Sequence, residues 1–235
     1  MKAVDVLRLV SGALQDLETG IDPRWKWEGG QADMVGLLDF LNAAVQAVAM
    51  QRPDATAITE SILLEPGMRQ RIPEAKRHRA TANALILVEL VRNMGADGET
   101  PGAPITPVRP DILLAWGRHQ ITSKVVDNFG YDKSTNPRVY YVYPCVPEDV
   151  DVYVEATYSA EPTQIFSKGE CLPISDSYAP AIMHHILASI LSGDSEASNM
   201  AKAQYHMQMF QSVLGIKAQV DAAWPKGSTS LRGGL

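Results

Sequence analysis

Along the first twenty residues, Val4, Leu7, Val10, Leu14 and Leu17 recur at steps of three and four, which puts them on one stripe of an amphipathic helix ending near Gly20. Beyond a loop rich in Trp, Lys and Gly, from Pro23 to Gly30, Asp33 is placed to cap a second helix. Its Met34, Leu37, Leu38, Leu41, Val45 and Val48 repeat the spacing up to Pro53. From Thr56 to Leu64 the pattern changes to β-branched and apolar residues. Pro66 and Gly67 then form a type II turn pair, and Met68, Gln70 and Ile72 alternate with Arg69 and Arg71, so the stretch reads as a β-hairpin. Ala84 to Val91 is almost wholly apolar; its Leu, Ala and Glu content suits a helix, but its length favours a buried strand, the reading adopted. The turn-rich stretch Ala96 to Pro104 follows, and then a short helix that begins near Pro110 and runs through Ile112, Leu113, Leu114 and Trp116.

The clearest β signature is the pair Val139 to Tyr143 and Val150 to Tyr158, dense in aromatic and β-branched residues and separated by Pro144 to Asp149; the two are expected to pair as antiparallel neighbours. From Asp176 the helical period returns. Ile182, Ile186 and Ile190 make one stripe, Gly193 and Asp194 break it, and a long helix carries Met200, Met207, Phe210, Val213 and Leu214 to the stop at Trp224 and Pro225. The sum is an α+β fold: N-terminal helices and a long C-terminal helical hairpin packed together, with a central antiparallel β-rich region. The expected boundaries are a helical layer from 1–55 and 174–223, a β-rich insertion from 56–173, and a Gly- and Ser-rich tail from 224–235 that orders only on a partner.

Composition narrows the function. With 46% hydrophobic and 20% charged residues, the 235-residue chain can bury a core unaided by disulfides or metals. A net charge of −6 has the wrong sign for a protein whose task is to grip phosphate backbones. Two cysteines, Cys145 and Cys171, are too few for a disulfide framework and lack zinc-site spacing, so both are read as buried, reduced thiols of a protein made in a cytosol. No export signal and no run of about 18 apolar residues is seen, so neither secretion nor a membrane span is expected.

Candidate chemistry is sparse. His184 and His185 point in different directions on one helix, and neither has a His or carboxylate three or four residues away in a metalloprotease-like pattern. There is no glycine-rich phosphate loop, and Gly95-Ala96-Asp97-Gly98 is turn chemistry. The expectation is therefore no catalytic residue, no metal and no cofactor. Arg69, Arg71, Lys76, Arg77, His78 and Arg79 form the one basic concentration, which could face an acidic neighbour or DNA; a solvated loop or a subunit contact is the reading preferred to nucleic-acid readout, since no aromatics interleave with the charges. Met200, Met207 and Met209 could make an adaptable interface, but core filling is the simpler reading. A hydrolase using His185 with Cys145 or Cys171 is the rival from another class.

The order of several short segments resembles the podovirus head-to-tail adaptor proteins. These are Leu37 to Ala44 through Gln51-Arg52-Pro53-Asp54-Ala55, Val91 to Gly98, Pro137 to Pro144, Tyr158 to Pro162, Tyr178 to Ile182, Gly193 to Glu196 and Phe210 to Gly215. The chain departs from that family at Arg79-Ala80-Thr81-Ala82 and at Cys145, where the family more often carries proline. The resemblance implies a non-enzymatic virion protein, made in the host cytoplasm, whose copies form a ring, a dodecamer in that family, between the portal and a tail nozzle or tail tube. DNA would pass along its axis, a lumen of acidic character would repel phosphate, and no membrane would be involved. Tyr140, Tyr141, Tyr143, Tyr153 and Tyr158 would suit ring contacts, although packing within the sheets would use them too, and Trp224, Lys226, Leu231 and Arg232 of the tail would dock on the portal. Another tail component, a tail-completion or tube protein, is the alternative.

Overall fold

The structure, a computed structural model, describes residues 1–14, 26–27, 36–116, 121–193 and 197–223. The chain divides into two compact units, Met1–Val48 with Gln164–Leu235, and Ala49–Thr163.

The first unit is built on helices. α1 (Ala3–Ala13) buries Ala3, Val6, Leu7 and Val10 and packs on α5 (Ala179–Ser192); of the stripe read in the sequence Leu7 and Val10 are buried, whereas Val4 and Leu14 are half-buried. The expected continuation of α1 toward Gly20 lies outside the described residues, as do Asp33 and Met34. A helix leaves its first N–H groups without internal acceptors; here the carbonyls of Lys168 and Glu170 receive those of Val4 and Ala3, both at 2.9 Å. α2 (Leu37–Gln51) buries Leu37, Leu38, Leu41, Val45 and Val48 as its pattern requires. Its Asn42 is bonded on both sides of its amide to the backbone of Ile165, at 2.9 and 2.8 Å, and so pins an extended segment that has no sheet partner. α5 turns Ile182, Ile186 and Ile190 inward, and α6 (Ala197–Ala223) packs on it through Ala203, Phe210 and Leu214.

The second unit holds two four-stranded sheets over one apolar core. In chain order the elements are β1 (Ala57–Leu63), β2 (Gly67–Arg71), α3 (Ala75–His78), β3 (Ala84–Met94), β4 (Pro101–Pro104), β5 (Thr106–Pro107), α4 (Pro110–Trp116), β6 (Asn128–Tyr131), β7 (Val139–Val146) and β8 (Tyr153–Ala160). One sheet runs β1-β8-β3-β4 and the other β2-β7-β6-β5.

This topology corrects two expectations. β1 and β2 do not pair as a hairpin, nor do β7 and β8 pair with each other: β1 pairs with β8, β2 with β7, and the two pairs lie in different sheets. The chain from 57 to 71 is one bent arm and that from 139 to 160 a second, antiparallel to it; both change sheets at the same level, through 64–66 and 147–152. The turn chemistry read at Pro66-Gly67 is present, with Gly67 at φ 98°, but it makes a corner in place of a reversal. The fully buried Gln70 holds that corner. Its amide nitrogen donates to the carbonyls of Glu65 (2.6 Å) and Gly67 (3.1 Å), and its oxygen accepts the N–H of Glu65 (2.8 Å). Leu64 N–H bonds Val152 O at 2.9 Å and links the arms through the bend.

The central apolar run is a strand, extending to Met94, and its burial explains why it also suited a helix. Ala84, Leu87, Leu90 and Asn93 are buried, a three-residue step, while their partners on β8 are Ala160, Tyr158, Ala156 and Val154, a two-residue step. Three register shifts, each adding a residue to β3, reconcile the two periods. Asn93, the polar member of this row, donates to Ala103 O (3.0 Å) and Val126 O (2.8 Å) and accepts Val126 N–H (2.8 Å), so burial leaves its amide satisfied.

Two smaller expectations also change. The stretch 96–104 is not all turn, since β4 occupies its end, and the β region is not wholly antiparallel, since β5 and β6 run parallel. Pro101, Pro104 and Pro107 sit on the edge strands β4 and β5, where a residue without an N–H costs no ladder bond. α4 begins at Pro110 as expected and lies close on β6: a Cβ at Gly130 would stand 3.0 Å from both Pro110 Cα and Val108 O.

Replacing Gln70 by Leu strands Glu65 N–H and two carbonyls at the corner. Urea unfolding should show a loss of about 2–4 kcal/mol, and a loss under ~1 kcal/mol would deny Gln70 its role as the corner's staple.

Candidate functional site

The basic segment is exposed apart from His78, but it is not one uniform patch. Arg69 and Arg71 project from the same side of β2, on the free edge of its sheet. With Lys76 they make no ion pair among the described residues, whereas Arg77 lies 3.1 Å from Glu65 and 3.9 Å from Glu74. Arg79, in the left-handed region at φ 55°, lies 3.6 Å from Asp151 and donates to the Tyr153 hydroxyl. His78 is fully buried and its Nδ1 accepts Glu74 N–H at 2.9 Å. Burial holds its pKa below the ordinary value against the pull of Glu65 and Glu74. The unpaired charge of this region therefore reduces to Arg69, Arg71 and Lys76.

Of the five tyrosines considered for contacts between copies, Tyr140, Tyr153 and Tyr158 are buried in the second unit's core or at its rim, so they are not free for that use; Tyr141 and Tyr143 remain half-exposed. Tyr158 donates to Glu60 Oε1 (2.6 Å) and Ala82 O (3.1 Å). Burial works against the Glu60 carboxylate, but hydrogen bonds from Thr81 and Tyr158 outweigh it and hold the pKa below the ordinary value. The methionine expectation is also corrected: Met200 and Met207 are exposed, at 47% and 37%, and fill no core of this chain. Tyr205 and Ile216 are likewise exposed on α6, and Phe166, in the segment before residue 171, is the most exposed large apolar residue among the described residues, at 78%.

In the second unit an open recess of about 670 Å³ is lined by Pro53, Ala57, Ile86, Val88 and Tyr131 among others. A second, of about 400 Å³, shares Val88 and Tyr131 with it and continues to Pro107, Val108 and Pro110. The acids at the larger recess serve local structure. Asp54 is paired with Arg52, and Asp132 accepts from Ser134 N–H and the Thr135 hydroxyl, bonds that lower its pKa. Nothing in the sequence announced these recesses, because their walls come from segments far apart in the chain.

Cys145 is buried beside a bridge to Thr122, whereas Cys171, expected to be buried, is exposed at a bridge to Lys2. His185 packs its ring edge-on against Phe210, 5.0 Å between centroids, with its Nδ1 buried and unbonded among the described residues. His184 meets His206 of α6 instead, a residue that sequence reasoning passed over. No group of three or more His, Cys, Asp or Glu among the described residues is placed to hold a metal ion, and no described helix is long and apolar enough to cross a membrane. The tail residues Trp224, Lys226, Leu231 and Arg232 lie outside the described residues.

Two units, one helical and one of paired sheets, carrying exposed apolar side chains on α6 and apolar recesses on the sheets, define a protein with surfaces suited to docking. Over residues 1–232 the chain matches the family described as SU10 adaptor protein, and it belongs to that family, one of phage adaptor proteins. No curated protein matches the chain.

The segment Val91 to Gly98 includes an acid whose behaviour is measurable. Asp97 Oδ1 accepts the N–H groups of Glu99 (3.0 Å) and Thr100 (3.1 Å), and Oδ2 accepts the Thr100 hydroxyl (2.8 Å), which lowers its pKa from 3.8 to about 2. The bonded form is the carboxylate, so the loop keeps its full contribution above pH 3.8 and loses it as pH falls toward 2. An NMR titration of the Asp97 carboxyl should give a midpoint near 2; a midpoint near 3.8 contradicts the geometry.

Proposed function

We propose that the chain is the repeating subunit of a head-to-tail adaptor ring, joining the portal at the base of a phage head to the tail nozzle or tail tube, with a dodecameric ring open along its axis for DNA. The observation that carries this reading is the length of the family match, residues 1–232. A ring of identical subunits needs one patch that binds a different patch on the next copy. The chain offers unlike surfaces for such a contact: exposed apolar side chains on α6 and Phe166 in one unit, and the recesses around Val88 and Tyr131 in the other. Arg69, Arg71 and Lys76 make a positive face for an acidic neighbour, and a chain of net charge −6 supplies acidic surface in every copy. An acidic lumen would let DNA slide past without being held.

Trp224, Lys226, Leu231 and Arg232 would anchor the subunit on the portal, the first and third by burial of apolar surface and the others by charge. Purified subunit mixed with portal should assemble into rings whose symmetry matches the portal's, counted by negative-stain microscopy; subunits that stay unassembled in its presence would overturn the reading. A chain ending before Trp224 should keep its circular dichroism spectrum and unfolding midpoint yet bind portal at least about tenfold more weakly. Unchanged binding would remove the tail from the proposal.

A further inference from the structure

His184 of α5 and His206 of α6 stand with their Nδ1 atoms 2.9 Å apart, 22 positions removed in sequence but brought together by the packing of the two helices. The rings meet nearly head-on, with centroids 5.2 Å apart at 33°, and His206 also meets the ring of Tyr205 edge-on at 5.4 Å. Such a contact holds one proton between two nitrogens: one ring donates its Nδ1–H, and the other, protonated on Nε2, accepts at Nδ1. Both rings are half-buried. Burial alone lowers the pKa of His184, and burial followed by the charge of His184 lowers that of His206. α5 itself carries no Asp, Glu, Lys or Arg. The charged side chains described on the elements packed around the pair are Asp5 and Arg8 of α1, Asp176 just before α5, and Lys202 and Lys217 of α6. Asp5 accepts Lys2 N–H, Asp176 pairs with the N-terminal ammonium, Lys217 lies over the Tyr178 ring, and Arg8 and Lys202 are exposed, so the two rings answer chiefly to burial and to each other.

We propose that the His184–His206 pair is an acid-operated latch between α5 and α6, which stays shut on taking up one proton and opens on taking up a second. The first proton goes to Nε2 of the donor ring. That ring becomes an imidazolium whose Nδ1–H donates with the strength of a charged group, so the contact survives. The second proton has only the accepting Nδ1 to bind, because Nε2 of that ring already carries hydrogen. Taking it replaces N–H···N by two N–H groups pointed at each other, with a positive charge on each ring, and the packing of α6 on α5 has to give. The pair therefore titrates as a unit, in two separate steps. In the unfolded chain each ring takes its proton near the ordinary value of 6.5, so acid protonates the unfolded state first; the pair's contribution to stability is whole above that pH and falls away below it. His185, edge-on to Phe210 with its Nδ1 buried, also has its pKa lowered by burial, but it has no second ring with which to share a proton.

The test is an NMR titration of the full chain carrying isotope-labelled histidine, alongside urea unfolding of the parent and of a double variant, His184→Gln with His206→Gln, that keeps His185. At neutral pH a scalar coupling should run between the two Nδ1 atoms across their hydrogen bond. It should persist through the first protonation and vanish at the second, whose midpoint should lie at least about one unit below the first. On acidification the parent should lose stability faster than the double variant, by up to about tenfold in the unfolding equilibrium constant per pH unit; His185 titrates in both and cancels. If the double variant loses its circular dichroism signal at neutral pH, the coupling and the two midpoints of the parent decide alone. Rings that titrate together near 6.5 without coupling, coupling that outlasts the second proton, or equal pH slopes in parent and folded variant would overturn the latch.

Discussion

The second unit depends on a constraint of chain geometry: two antiparallel arms must leave one sheet and enter another together, without breaking the ladder between them. The bend is possible because Gly67 takes a positive φ and because Gln70, buried among apolar residues, supplies the hydrogen bonds that the bent backbone cannot make for itself. Once both arms turn, β1-β8 and β2-β7 face one another over a shared core that includes Ile62, Leu90, Tyr140, Val142, Val154 and Tyr158. The bend lets strands of both sheets, β1, β3 and β8 in one and β2, β6 and β7 in the other, bury a common interior.

The same economy of polar groups recurs wherever the chain lacks a ladder. Asn93 joins the end of β3 to the approach to β6, and Asn42 holds the segment at Ile165 against α2. The buried Asn93 amide thereby satisfies donors and acceptors that would otherwise cost on the order of 1–3 kcal/mol apiece, and the half-buried Asn42 does the same in part. The exposed apolar residues of α6 follow the opposite logic, since nothing in the chain covers Met200, Tyr205 or Ile216 among the described residues. In the proposed ring, surface of that kind is where a neighbour would dock.

The helices were legible because a 3.6-residue period can be read one segment at a time: Leu37, Leu41, Val45 and Val48 are buried, as are Ile182, Ile186 and Ile190. The strands were legible as strands, from the β-branched and aromatic density of Val139–Val146 and Tyr153–Ala160. Their partners were not. A Pro-Gly pair announces a change of direction but not whether the chain reverses or turns a corner, and the deciding group, Gln70, looks in sequence like one more polar residue between two arginines. β3 was read as a strand on its length, although its bulges imitate a helical step. The tyrosines stayed open for a related reason: aromatic side chains serve a sheet core and an interface equally well, and the structure divides them, with Tyr140, Tyr153 and Tyr158 buried and Tyr141 and Tyr143 half-exposed. His206 was invisible beside His184 because the search for partners ran along one helix, whereas the packing of α5 on α6 supplies the neighbour.

The chain belongs to a family of phage adaptor proteins, and the ring between portal and tail is the reading proposed for it. The most direct measurement is a cryo-electron microscopy map of the intact virion at the vertex where the tail attaches. The account predicts this chain there as a closed ring, in contact with the portal on one side and the tail on the other. Finding it along the tail away from the portal, or as isolated copies that touch no portal subunit, would contradict the account.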